Sequence, residues 1–185
     1  MAHSGRKPTG KVMVRTFFVF CEGKTEAEYV RFLMGECKSP VQVVPKPAKS
    51  NISRKSIDHA LQRCGWTPGL DRVFLMFDLD VEGMADRLDA IDDATPLLSN
   101  PCIELWFLLH AEDVRAELTS KACLDRLKSR VADYRKGRID AKLMAVLRDG
   151  LESAVARAKS LRGRGNPSST VYLLIEALGA ARGRD

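Results

Sequence analysis

Three carboxylates stand at the ends of two short apolar runs. Phe17-Phe18-Val19-Phe20-Cys21 leads into Glu22, and Val73-Phe74-Leu75-Met76-Phe77 leads into Asp78-Leu79-Asp80. Runs of this length and composition predict buried strands of a parallel sheet. Open α/β sheets bind ligands at the carboxyl ends of their strands, where both runs would deliver their acids. Burying such anions costs several kcal/mol each unless a cation is shared. Mg²⁺ prefers oxygen ligands, keeps water, and commonly uses one or two carboxylates plus substrate phosphate. The pattern therefore points to Mg²⁺ or Mn²⁺ and to phosphate chemistry. Asp78 and Asp80, two apart on a strand, would fall on one side at roughly 6–7 Å, which suits one or two divalent ions. The plainer alternative is that the aspartates cap a following helix, where acids are favoured, and that Glu22 occupies a surface turn.

Positioning those acids demands a particular order of elements. Residues 14–21 are β-branched and aromatic, a strand broken by Gly23. Lys24 to Gly35 has helical spacing, with Tyr29, Phe32 and Leu33 on one face. Val41 to Val44 reads as a short strand closed by Pro45 and Pro47, followed by a polar, basic loop to residue 54. Ser53 to Cys64 fits a helix, and Arg72 to Phe77 is the second strong strand. The order β-α-β-α-β argues for a parallel sheet with crossover helices on its faces. Beyond Asp80, Gly83 to Ile91 has helical character and Leu97-Leu98 fits a further strand. Asn100-Pro101 and Asn166-Pro167 each read as an N-cap with proline in the first turn. The first would open a buried helix to His110, the second a last amphipathic helix carrying Val171, Leu174, Ile175 and Leu178. From Ser120 the pattern is helical, with breaks near Gly137, Gly150 and Gly163–Gly165. The expected fold is α/β: a basic arm at 1–11, a core at 12–112 whose mostly parallel sheet is flanked by helices, and a helical C-terminal extension at 113–185 packed on it.

The 185 residues suffice for one domain with a real core. No apolar run is long enough to span a bilayer, and no signal-like segment follows the basic N-terminus, so the expectation is a cytoplasmic protein without membrane attachment. Five cysteines include no Cys-x-x-Cys pair, which argues against a zinc site or a disulfide framework. The net charge is +6 and uneven. Lys46, Lys49, Arg54 and Lys55 form one basic cluster, and basic residues outnumber acidic ones between Lys121 and Arg164. Such surfaces attract polyanions; the bland reading is a solvated helix face.

Of two other motifs, the first fails and the second is weakened without being excluded. Gly23-Lys24-Thr25 looks like the end of a P-loop, but the glycine required five residues earlier is Phe18. Phe77-Asp78-Leu79-Asp80 looks like the nucleophile strand of aspartyl-phosphate phosphatases, but Glu82 stands where those carry threonine or serine. A closer resemblance runs through most of the chain. Glu22-Gly23-Lys24-Thr25-Glu26, Phe77-Asp78-Leu79-Asp80, the block from Ser99-Asn100-Pro101 through Glu104 and Trp106 to His110, and Asn166-Pro167-Ser168-Ser169-Thr170-Val171 resemble, in order, the RloB-like proteins. The resemblance implies a Toprim-like, Rossmannoid sheet related to OLD-type nucleases. It also implies that Glu22, Asp78 and Asp80 support Mg²⁺-dependent phosphoryl transfer. It implies further a setting in restriction and phage-defence loci, often beside an ATPase partner.

The remaining candidates carry two readings each. Glu104, charged within an otherwise apolar helix, either adds a metal ligand or base or is a buried carboxylate satisfied by its neighbours. Glu26 either supports Glu22 from the next turn or faces solvent. Lys24 either contacts a substrate phosphate or balances the acids beside it. Lys46, Arg54 and Lys55 lie in or after the second strand's loop, where backbone phosphates could dock. His110 caps or packs more readily than it catalyses. The reading that gathers most of these is a metal-dependent nuclease acting on RNA or DNA. Catalysis would rest on Glu22, Asp78, Asp80 and Glu104, and substrate binding on Lys24, Lys46, Arg54 and Lys55. The alternatives are a non-catalytic nucleic-acid-binding or sensor subunit, and a small-molecule phosphatase or nucleotidyl-transfer enzyme. The apolar last helix could serve a homo-oligomer.

Overall fold

Alternation within the strands decides which helix covers which face. The computed structural model describes residues 15–37, 42–48, 52–161 and 163–182; the expected basic arm and Lys49 lie outside them. The elements run β1 (Thr16–Cys21), α1 (Lys24–Glu36), β2 (Gln42–Pro47), α2 (Arg54–Gln62), β3 (Arg72–Asp78), α3 (Met84–Asp89), β4 (Ala94–Asn100), α4 (Ile103–Ala111), α5 (Ser120–Arg130), α6 (Ala141–Asp149), α7 (Leu151–Ser160), β5 (Ser168–Ser169) and α8 (Tyr172–Arg182). The sheet order is β2-β1-β3-β4-β5. The first four strands are mutually parallel and β5 is antiparallel to β4.

Residues 17–21 and 73–77 are buried without interruption, as strands covered on both faces must be. Phe17, Val19, Cys21, Phe74 and Met76 face the side covered by α1 and α4 to α8. Phe18, Phe20, Val73, Leu75 and Phe77 face α2 and α3, which contribute Ile57, Leu61, Met84 and Leu88. Consecutive helices α1 and α2 thus lie on opposite faces, and the chain reverses direction across the sheet beside β1. That reversal opens a crevice at the carboxyl ends of the strands.

Three expectations are corrected here. Pro45 and Pro47 do not close β2; the strand runs through both. Gln42 N–H donates to Arg15 O and Ala48 N–H to Cys21 O, so even-numbered residues of β2 bond to β1. Odd-numbered ones point outward from this edge strand, where proline's missing donor costs no ladder bond. Asn100-Pro101 and Asn166-Pro167 do not start helices. Both peptide bonds are cis, Asn100 ends β4, and Cys102 is the N-cap of α4. Pro167 leads into β5, a two-residue strand set among the expected C-terminal helices α5 to α8. Ser169 and Thr170, expected in the last helix's first turn, instead fasten the sheet: Thr170 Oγ1 accepts from Leu98 N–H at 2.7 Å and donates to Pro96 O at 3.2 Å.

Residues 103–110 of α4 are all buried, which an amphipathic helix would not allow. The sheet lies on one side of it, and α5, α6 and α7 pack around the rest. At the C-terminal end of α4, His110 Nδ1–H donates to Trp106 O at 2.8 Å. Burial holds the imidazole down at about 4, so it packs as a neutral ring at physiological pH. Gly150 sits against this turn; a Cβ there would stand 2.2 Å from the His110 carbonyl oxygen.

Candidate functional site

β1 and β3 are neighbours and end together, so Glu22 and Asp78 meet. Glu22 Oε2 accepts from the Asp78 backbone N–H at 3.0 Å. Asp78 follows the parity of Phe74 and Met76, which puts it on the face covered by α1 and α4. Two further acids reach it from there. Glu26, one turn into α1, is buried, and its Oε2 lies where a Cβ at position 23 would come within 2.9 Å. Glu104, in the first turn of α4, has 0% exposure. Three carboxylate oxygens, Glu26 Oε2, Asp78 Oδ1 and Glu104 Oε2, are buried without a hydrogen-bond partner.

Like charges under partial burial resist ionisation. Burial, then the charges of Glu26, Cys102, Glu104 and Glu22, pushes the Asp78 carboxyl up to about 9. Burial also raises Glu26, with Glu104 and Glu22 adding to it while its own backbone N–H and that of Gly23 pull it back. Glu22 is raised by burial and by Asp80, against the bond from Asp78 N–H. Asp78 therefore holds a proton at neutral pH when no cation is present.

Asp80 departs from the spacing argument. β3 ends at Asp78, so the two-residue period does not carry on to Asp80. It is exposed and lines a second, polar hollow with Asn100, Thr119 and Asn166, while its charge still reaches Glu22. Among the described residues no group of three or more His, Cys, Asp or Glu side chains could hold a metal ion. Asp78, Glu26 and Glu104 each keep a buried oxygen without a partner, so one or two of them are open to a hard cation. Mg²⁺ bound through one or two carboxylates, with water and phosphate oxygens completing its shell, does not require three protein ligands.

The basic candidates separate. Lys24 lines a cavity of about 880 Å³ together with Glu22, Arg31, Ser53, Ser56 and apolar side chains from β1, α1 and α2. Lys46 lies outside this lining; its Nζ is 2.8 Å from Cys64 Sγ and sits over the Phe18 ring. Arg54 bonds Asp58 at 2.9 Å and the Asp92 carbonyl at 2.7 Å. Lys55 is exposed on the first turn of α2. The basic tract after Lys121 is partly engaged within the molecule: Arg126 and Arg130 hold Glu112, Arg148 holds Glu36, Lys159 holds Glu176 and Arg164 holds Asp89.

Sequence reasoning missed the connection between α5 and α6. Tyr134 is buried and its hydroxyl donates to Glu104 Oε1 at 3.0 Å; burial and the nearby carboxylate raise its pKa, so it remains a donor. Lys136 Nζ stands 3.6 Å from the same oxygen. Gly137 N–H donates to Thr25 Oγ1 at 2.9 Å. The one cue in sequence was Gly137, whose φ is +73°.

The family described as RloB-like protein matches residues 17–178, and the chain belongs to it. No curated protein and no solved structure matches the chain.

Proposed function

We propose that this RloB-like protein is a metal-dependent nuclease with a Toprim-like sheet, cleaving phosphodiester bonds in RNA or DNA. The observation that carries the reading is the set of buried, unpartnered carboxylate oxygens on Glu26, Asp78 and Glu104, beside an open cavity at the carboxyl end of β1. Glu22 and Asp78 would hold Mg²⁺ or Mn²⁺, with Glu26 and Glu104 beside Asp78 and the exposed Asp80 acting on Glu22 through its charge. A divalent cation bound there would neutralise phosphate charge and acidify water. Glu22 is fixed by the Asp78 N–H, so its second oxygen can accept a proton from an attacking water. Tyr134 holds Glu104 in place. Apolar side chains form part of the cavity's lining, and Lys24 adds a cation to it.

Labelled tRNA, single-stranded and duplex substrates incubated with Mg²⁺ or Mn²⁺ test the proposal. Cleavage is expected from the native chain and lost from Asp78→Asn combined with Asp80→Asn. Undiminished cleavage by that double variant refutes the assignment. One observation favours a second reading, a nucleic-acid-binding or sensor subunit acting with an ATPase partner: no three-ligand metal group exists among the described residues. That reading predicts salt-sensitive polyanion binding without turnover. The phage-defence setting belongs with either reading and would be tested by plaque counts on cells expressing the double variant with its neighbouring genes.

A further inference from the structure

The ten residues between α5 and α6 cross the acid cluster as a strap. Its underside is fastened at two points, Tyr134 to Glu104 and Gly137 to Thr25. Gly137 allows the close approach: a Cβ there would meet the Lys24 stem at 2.9 Å. Fastened this way, the strap presents Arg135, Lys136 and Arg138 outward, all exposed, next to exposed Lys24. The ion pairs among the described residues engage Lys136 alone of these four. Arg126, Arg130, Arg148 and Arg164, by contrast, are held by acids. Positive charge that no acid holds thus stands over the acid cluster.

Lys136 is unusual in its partner. Its side chain is 58% exposed, yet it pairs with a carboxylate of 0% exposure. A flexible ammonium can leave such a pair for water or phosphate, but Glu104 cannot follow it. Removing the cation that pairs with a buried carboxylate is costly, unless another cation takes its place.

We infer that the Tyr134–Arg138 strap is the clamp for the phosphates of a nucleic-acid strand, and that Lys136 exchanges between Glu104 and a phosphate as a divalent cation enters and leaves the acids. The exchange rests on the metal reading proposed above; the clamp, built from Lys24, Arg135 and Arg138, does not. Lys136 is placed to meet the same phosphate that the cation would neutralise.

Two binding measurements on the full chain separate these parts. Mn²⁺ alone is titrated by electron paramagnetic resonance or calorimetry. A short fluorescein-labelled oligonucleotide, in ribo and deoxyribo form, is titrated at several salt concentrations in EDTA and again with Ca²⁺. Lys136→Met is expected to bind Mn²⁺ about fivefold more tightly, because a competitor is gone, and the oligonucleotide more weakly with Ca²⁺ present. Lys136→Arg is expected to restore both towards native values. Arg135→Gln with Arg138→Gln should leave Mn²⁺ binding unchanged and reduce the salt slope of oligonucleotide binding by about 1–2. Loss of packing alone cannot produce opposite changes in the two affinities. Unchanged or weaker Mn²⁺ binding by Lys136→Met overturns the exchange, and an unaltered salt slope in the arginine pair overturns the clamp. A native chain that takes up no Mn²⁺ removes the metal reading and the exchange together, while the slope still decides the clamp.

Discussion

A carboxyl group that keeps its proton at neutral pH leaves a thermodynamic signature, and Asp78 is such a group. Its folded pKa of about 9 stands far above the ordinary value of 3.8. The folded chain therefore binds a proton that the unfolded chain releases. The stability this confers is full below the unfolded pKa and is lost as pH rises through the folded one. In EDTA, the melting temperature is expected to fall between about pH 5 and about pH 9. Asp78→Asn, neutral throughout, should flatten that slope and raise the melting temperature at the alkaline end. Mg²⁺ should stabilise the native chain more at alkaline than at acid pH, since metal and proton compete for one oxygen. Tyr134→Phe removes the hydroxyl that satisfies Glu104 Oε1; urea unfolding should show a loss of about 1–2 kcal/mol. Glu22, Asp78 and Glu104 stand out in the sequence because each acid abruptly ends or interrupts an apolar run. Lys46 and Arg54 stand out by charge alone, which does not say where a long side chain points. Tyr134 and Lys136 reach Glu104 across about thirty residues, a relation no local spacing encodes.

At the scale of elements, β1, α1, α2 and β3 follow from periodicity alone, because each satisfies its backbone and buries its face in the expected way. β5 has two residues, too few to show any period, and exists because β4 offers it a partner. Asn-Pro is compatible with several local conformations, and here both copies end or begin a strand. α4 meets the α6–α7 corner at Gly150. Gly150→Ala forces a Cβ against the His110 carbonyl, backbone against backbone, so neither side can rotate away. Urea unfolding should show a loss of about 2–3 kcal/mol or more, without change in the pH slope set by Asp78. Thr170→Val should cost about 1–2 kcal/mol, because it leaves the Leu98 N–H without its acceptor.

Considered whole, the molecule does not divide cleanly at residue 112. Leu105 to Leu109 of α4 have 0% exposure, and the residues that cover them, among them Leu127, Leu143 and Leu174, come from α5 to α8. A chain ending at residue 112 would expose that helix. It should bind a hydrophobic dye and lose cooperative unfolding, whereas the full chain should melt in one transition. No helix among the described residues is long and apolar enough to cross a membrane. The rims of the sheet carry a last consequence. On one side, Pro45 and Pro47 remove two of the outward amide hydrogens of β2; on the other, the rim is the two-residue β5. Neither can template a foreign strand, which is the step that starts fibril growth. Concentrated protein should therefore stay dark with thioflavin T through prolonged agitation, and Pro45→Val with Pro47→Val should shorten the lag.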